Sequence, residues 1–462
     1  MQIYNPAFVT FIQEMSHSYD LMDFSNVELD GALDFIDASL DLYSDEASRR
    51  TRIDGLRVLG LLRSQEITID ARAIAPNGVV TIPCPTSKQD AYVRIVEMKN
   101  EIGEGGSDPI VQAECGFVLI CSSEKVAFSF LIALVSLNSL PQYKPFRDAS
   151  CCPMFLVGVA GPHLTVSGAI FAEKIVSQRF TDYIYLGPLP TSQERFPLDH
   201  SIRRVAQVLR ALTKATNQLS AYYSTLKFTS TSTPKQRGSM YRGSSHRGSS
   251  HPVLVPSFPI LPDLVPPSFR DFEVYDKRYT VVYKRRLDPS FPDKAVFLGT
   301  ISNGDKDQGS HDVVIKFTPA YCKDAHEMLA RIQRAPTLWF CERVETVGMY
   351  VVVMGYEEAK PMDKLLKDEH IIQLKEAVEA LHGAGYVHGD LRGPNVLITK
   401  DGLRIIDLDW CGKVGVARYP AHIYLSSGHG WHSEVCRGGL ITKEHDEHMF
   451  GVLAGLPYQH AT

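Results

Sequence analysis

Long apolar runs are scarce in this sequence of 462 residues. The most apolar stretch, Val126 to Leu137, holds about a dozen residues, whereas a membrane-spanning helix needs roughly 20. It reads as a core element, and no membrane partner is expected. Cysteines at metal-site spacing are missing as well. Nine are scattered through the chain with no CxxC pair, which speaks against both a structural zinc site and a disulfide framework. The first 20 residues carry no basic stretch leading into an apolar core and so do not form a secretory signal. An intracellular, reducing location is the expectation. Excess positive charge is also absent: the formal net charge of −5 argues against a surface coated for nucleic acid, though a local basic groove is compatible with it.

What is present is ordinary globular material, 44% hydrophobic and 22% charged, in a chain too long for one core. Two or three domains are expected. Residues 227–252 are almost free of aliphatic side chains and rich in Ser, Thr, Gly, Arg and His. Such a segment buries too little surface to offset its ordering entropy and reads as a tether. The resulting division is a domain over 1–226, a Ser/Gly/Pro-rich linker over 227–269 and a second domain over 270–462.

Upstream of the linker, helical patterning over Glu28–Leu42 and Ala47–Leu62 gives way to short strands around Ile67–Ala71, Val79–Ile82 and Tyr92–Met98. Met154–Val159 and Leu164–Phe171 read as two strands joined by Gly161-Pro162. In Asp199–Tyr222 the positions Val205, Val208, Leu209 and Leu212 follow helical spacing. This part is therefore a mixed α/β domain.

Downstream, Asp312 to Phe317 reads as a strand carrying one lysine, Lys316, followed by a helix over Tyr321–Ile332. Glu327 lies where it could pair with Lys316, with Asp324 as a competing partner. Tyr350–Met354 is an apolar strand leading into Gly355 and Tyr356, a pattern suited to holding a flat base at Met354 and Tyr356 with its edge bonded to backbone groups. An amphipathic helix over His370–Leu381 then delivers the chain to His388-Gly389-Asp390-Leu391-Arg392-Gly393-Pro394-Asn395. Phosphoryl transfer from ATP needs a cation on the phosphates, metal ligands and a group that orients the acceptor. Lys316 supplies the first. Asn395 and Asp407 are oxygen ligands suited to magnesium. Asp390 would orient the acceptor hydroxyl, and Arg392 would steady the γ-phosphate. A hairpin over 396–406, closed by Lys400-Asp401-Gly402, carries the chain from Asn395 to Asp407.

These residues resemble the protein-kinase superfamily, and most closely the fungal-type protein kinases. The likeness lies in Ala325-His326-Glu327, the HGDLRGPN loop, Ile406-Asp407-Leu408-Asp409-Trp410, Gly415–Pro420 and Gly439–Asp446. It implies an α+β, two-lobed kinase-like domain using ATP and Mg, with Ser/Thr protein kinase activity on a protein substrate. It also implies that Asp446 braces the catalytic loop. Four departures stand beside it. No GxGxxG joins the opening strands Tyr279–Leu287 and Ala295–Ile301. Asp409 replaces the usual glycine after the metal-binding aspartate. Gly389 replaces the usual arginine. About 16 residues follow Asp446, which leaves little C-terminal lobe. Small-molecule phosphotransferases share the His-Gly-Asp form and are one alternative. A pseudokinase or binding module is another.

In the N-terminal part, β-strand periodicity puts Glu97 and Lys99 on one strand face. The segment from Lys99 to Ala113 is similar to restriction-endonuclease-like domains, as also seen in crinkler-type proteins. That resemblance implies an acid–lysine pair, with Asp70 and Gln112 as further members. Asn77 occupies the turn where a second carboxylate is expected, and an amide binds magnesium poorly. A degenerate nuclease-like site with weak nucleic-acid contact is the expectation.

Overall fold

Capping chemistry fixes where the first helices begin. Asn5 accepts the Ala7 N–H ahead of α1 (Pro6–Ser16), with Pro6 at the first helical position. Ser25 and Glu28 form a reciprocal capping box on α2 (Asn26–Leu40). Asp45 caps α3 (Glu46–Leu56), which ends earlier than its apolar pattern predicts because Arg57 turns into the left-handed region at φ 57°. Leu59 and Leu62 are buried all the same, from an irregular segment rather than a helix. In this computed structural model the described residues are 1–63, 67–69, 72–74, 76–85, 87, 89–103, 106–121, 144–172, 174–188, 196–228, 264–287, 294–304, 309–359, 366–426 and 429–456. Asp70, Val126–Leu137, most of the expected linker and the connection 288–293 lie outside them.

The chain divides into two units, Met1–Val265 and Pro266–Thr462. In the first, β1 (Ile67–Ile69) and β2 (Arg72–Ile74) form a small hairpin. The main sheet runs β3 (Gly78–Cys84), β4 (Gln89–Lys99), β5 (Met154–Ala160), β6 (His163–Phe171), β7 (Ile175–Arg179), with β8 (Ile184–Tyr185) also on β6. β4 and β5 are parallel, and the connection between them contains α4 (Pro109–Cys121) and α5 (Lys144–Ala149). Parallel strands covered on both faces read as continuous apolar runs, and Met154–Ala160 is buried at every position. The expected helix over 199–222 is α6 (Pro197–Thr225), with Val205, Val208 and Leu212 buried. Phe8 and Phe11 of α1 pack against Phe155, with ring centroids 5.3 and 5.7 Å apart.

The second unit opens with a six-stranded antiparallel sheet ordered β13-β14-β12-β11-β10-β9. Its strands are β9 (Asp271–Val274), β10 (Lys277–Arg286), β11 (Ala295–Ser302), β12 (His311–Thr318), β13 (Leu338–Val344) and β14 (Met349–Gly355). One helix, α7 (Lys323–Arg331), interrupts the strand sequence after β12. α8 (Asp368–Gly383) follows, then β15 (Tyr386–Val387), the hairpin β16 (Val396–Thr399) and β17 (Gly402–Ile405), β18 (Gly412–Lys413) paired with β15, and α9 (Lys443–Ala454). One core joins sheet and helices: Leu329, Val352, Leu374, Leu381 and Leu403 are all fully buried in a single cluster. Truncating one of these leucines to alanine would cost about 2–5 kcal/mol. This continuous core holds β12 and the loop after β15 in register.

Candidate active site

The loop between β15 and β16 is held from behind by α9. Asp446, 1% exposed, accepts the His388 N–H at 2.7 Å and the Gly389 N–H at 2.9 Å. Gly389 has φ 79°, and a Cβ there would stand 2.6 Å from Cδ1 of Ile441. Glycine is thus a backbone requirement at this position, and the difference from the His-Arg-Asp form has a local cause. The buried His388 ring accepts the Asp390 N–H at Nδ1, and its Nε2 lies 3.3 Å from the Ile406 carbonyl. Asn395 donates its amide to the Asp390 carbonyl at 2.8 Å and to Asp390 Oδ2 at 2.7 Å. The carbonyl of Asn395 in turn accepts the Ile406 N–H at 3.0 Å. Asp390, Asn395 and the chain entering Asp407 are therefore tied into one frame.

Asp390 is 5% exposed, and burial pushes its carboxyl upward, with Arg392 opposing. Arg392 Nε stands 2.7 Å from Asp390 Oδ1, close enough for an ion pair. That oxygen nevertheless lacks a hydrogen bond of good geometry among the described residues.

Lys316 projects from β12 toward the segment after β17. It bonds Asp407 Oδ1 and stands 2.6 Å from Asp409 Oδ1. Burial pulls the ammonium down, but Asp409 and Asp407 together outweigh it and hold the lysine charged. For Asp407 burial is likewise outweighed, by Lys316, and its carboxyl is lowered. For Asp409 burial prevails, aided by repulsion from Asp407, and its carboxyl is raised. Asp407 has φ 65°, a conformation enriched in Asp and often found at functional sites.

The pairing expected of Glu327 is not formed. Ala325, His326 and Leu329 make the buried stripe of α7, and position 327 lies about 200° around the helix from 325. Glu327 instead reaches Arg331 at 3.5 Å on a partly exposed flank. Asp324 accepts the Tyr386 hydroxyl at 2.9 Å and does not meet Lys316 either.

Lys316, Asn395, Asp407 and Asp409 line one cleft of ≈ 590 Å³. Its walls include Val296, Val314 and Leu397, apolar side chains suited to the faces of a flat ring. Met354 and Tyr356 both line this cleft, as expected from the sequence. One detail differs from that expectation: the Tyr356 N–H is donated to the Asp312 carbonyl at 3.0 Å, and the Gly355 N–H to the Thr337 carbonyl at 2.8 Å. The sheet ladder consumes these two donors, so neither is offered to a base.

In the first unit, Glu97 and Lys99 are both buried on β4. Lys99 pairs with Glu46 of α3 at 2.7 Å, a residue sequence reasoning did not single out and one with no local signature. Burial raises the Glu97 carboxyl to about 7, and the nearby Glu46 charge adds to the effect. Asn77 donates its N–H to Glu97 Oε2 at 3.3 Å, and its side-chain oxygen accepts the Met98 N–H at 2.7 Å. Gln112 bonds Ser107 at 2.6 Å. The structure thus joins Glu97, Asn77, Lys99 and Glu46, and gives Gln112 a different partner.

The second unit is an antiparallel sheet with one inserted helix, followed by a helix, a loop and a hairpin leading to a cleft-lining aspartate, a mixed α/β arrangement compatible with a kinase-like fold. No family model matches the chain, and no curated protein matches it. Among solved structures it is similar to the Cydia pomonella granulovirus kinase PK-1, at 20% identity and a TM-score of 0.30. That likeness covers 38% of this chain and 67% of the viral one. No helix among the described residues is long and apolar enough to cross a membrane.

Proposed function

We propose that the second unit is an ATP- and Mg-dependent phosphotransferase that acts on Ser/Thr hydroxyls of a protein substrate. The observation that carries this reading is that Lys316, Asn395 and Asp407 line one cleft together with the apolar side chains of Val296, Val314 and Leu397. The donor set fits magnesium, which prefers hard oxygen ligands. Asp407 brings a carboxylate held ionised by Lys316. Asn395 spends its amide N–H on Asp390, which leaves its oxygen for a cation. Bound there, magnesium would neutralise charge on the phosphates. Lys316 would bind and orient them, and Asp390 would orient the acceptor hydroxyl and receive its proton, kept in place by Asn395. Arg392, beside Asp390, is placed to meet the transferred group's negative charge.

A small-molecule acceptor is the second reading, favoured by the His-Gly-Asp form of the loop. The test uses the full chain with radiolabelled ATP and magnesium, offered a generic Ser/Thr-rich protein or a panel of amino- and hydroxyl-bearing small molecules. Label on protein that disappears in Asp407→Ala supports the first reading. Label on a small molecule alone supports the second. No Asp407-dependent transfer to any acceptor, with no magnesium-dependent ATP binding, would overturn both.

A further inference from the structure

We propose that Asp409 is the positioning residue for Lys316, holding its ammonium toward the phosphate position in the role expected of Glu327. The inference rests on the reading of Lys316 as the phosphate-binding cation.

A lysine head sits on a flexible four-carbon stem and needs an anchor to hold one orientation. Of the two carboxylates expected from the sequence, Asp324 is taken by the Tyr386 hydroxyl; the structure adds Asp407 and Asp409 to Glu327 as candidates. Glu327 faces away from the buried side of α7 and pairs with Arg331. Asp407 touches Lys316, but the same carboxylate is the principal candidate ligand for a cation on the phosphates, so it cannot remain a dedicated anchor. Asp409 is left, 2.6 Å from the ammonium.

Asp409 is itself held from the strand that carries Lys316. Thr318 lies two residues along β12, on the same face, and is 3% exposed. Its hydroxyl stands 2.9 Å from Asp409 Oδ2, while Oδ1 meets the lysine. One carboxylate therefore joins two side chains of one strand, and its orientation is set by both. The backbone closes the arrangement, since the Cys322 N–H just ahead of α7 donates to the Leu408 carbonyl at 3.2 Å. The segment 407–409 is thus fixed to both β12 and the start of α7. An aspartate in place of the usual glycine is the residue this geometry requires: a glycine there would leave Lys316 with Asp407 alone.

The test measures magnesium-ATP affinity by thermal shift, and KM and kcat for phosphate transfer, on the full chain. Asp409→Asn is expected to weaken nucleotide affinity about tenfold, the effect of losing one charge-assisted contact. Asp409→Glu should recover part of that loss. Thr318→Val, which leaves all three charges in place, should show a change in the same direction but smaller. Glu327→Ala should stay within about twofold of wild type, as expected for an exposed pair. A residue that works through Lys316 adds nothing once the lysine is gone, so Lys316→Ala and Lys316→Ala/Asp409→Asn should be alike. A merely structural role would give additive losses and a lowered nucleotide-free melting temperature, and either would overturn the proposal. Wild-type affinity in Asp409→Asn beside a weakened Lys316→Ala would sink this inference alone. Wild-type affinity in Lys316→Ala would sink the phosphate-site reading and the inference with it.

Discussion

The carboxylate of Asp446 accepts the backbone N–H of Gly389 at 2.9 Å, and its other oxygen takes the neighbouring His388 N–H. Two donors that would otherwise be stranded in a buried turn are satisfied by one charge from α9. Hydrogen bonds to a charged group are worth about 1.5–3 kcal/mol each. Asp446→Asn keeps one acceptor and turns an amide N–H toward the other donor. It is expected to destabilise the second unit by about 2–3 kcal/mol, on the scale of one such bond, and to cut phosphate transfer at least about tenfold. Urea unfolding together with transfer assays checks this. Unchanged stability with full activity would show that the loop keeps its shape without α9.

Gly389 makes a sharper test, because two separable costs meet there. The φ of 79° penalises any side chain, and a β-carbon placed on this residue would lie 2.6 Å from Ile441 Cδ1. Gly389→Ala should cost about 1–3 kcal/mol from the backbone alone, and more from the clash. Ile441→Ala opens space and should return the steric part while leaving the backbone part. A double-mutant cycle should therefore show a favourable coupling of at least about 1 kcal/mol. Strict additivity would mean that Ile441 does not constrain residue 389.

These two positions show which features are legible in a sequence. Asp390, Asn395 and Asp407 lie on one short loop and the hairpin that follows it, so order and spacing alone assemble them. The strands, α8 and the α6 stripe were equally open to periodicity. Lys316 meets its partners across 91 and 93 residues, and no local pattern distinguishes Asp409 from Glu327 as its anchor. The direction in which α7 turns its buried stripe decides that, and it depends on packing. Gly389 stood out as a departure, but its reason is Ile441, which chain folding brings alongside it. Lys99 and Glu46, separated by 53 residues, belong to the same class of pairing.

Cys322 sits at the N-terminal end of α7, partly buried. A hydrogen bond with Cys411 lowers its thiol most, with burial opposing and the helix backbone assisting. Thiolate is the reactive form. Burial pushes Cys341, by contrast, up to about 12. Iodoacetamide labelling followed by peptide mass spectrometry should find Cys322 modified well before Cys341 near neutral pH. Cys411→Ser should move the Cys322 labelling profile to a new pH. An unchanged profile would remove Cys411 as the cause.

Glu97 gives the first unit a predictable response to pH. Burial first, then repulsion from Glu46, lifts its carboxyl from 4.5 to about 7, against the Asn77 N–H and the Lys99 charge. An unfolded chain releases this proton near 4.5, whereas the folded one keeps it until about pH 7. Between those values the unfolded state binds fewer protons, so stability falls as pH rises. The contribution is complete below 4.5 and gone above about 7. The shift corresponds to a loss on the order of 3 kcal/mol, or roughly 5–10 °C in melting temperature for a unit of this size. Glu97→Gln cannot ionise, so this part of the slope should vanish while the low-pH stability is kept. Calorimetry of both chains at pH 5 and pH 8 makes the comparison. Equal pH dependence in the two would mean that Glu97 is ionised in the folded protein at neutral pH, held by Lys99 rather than governed by its burial.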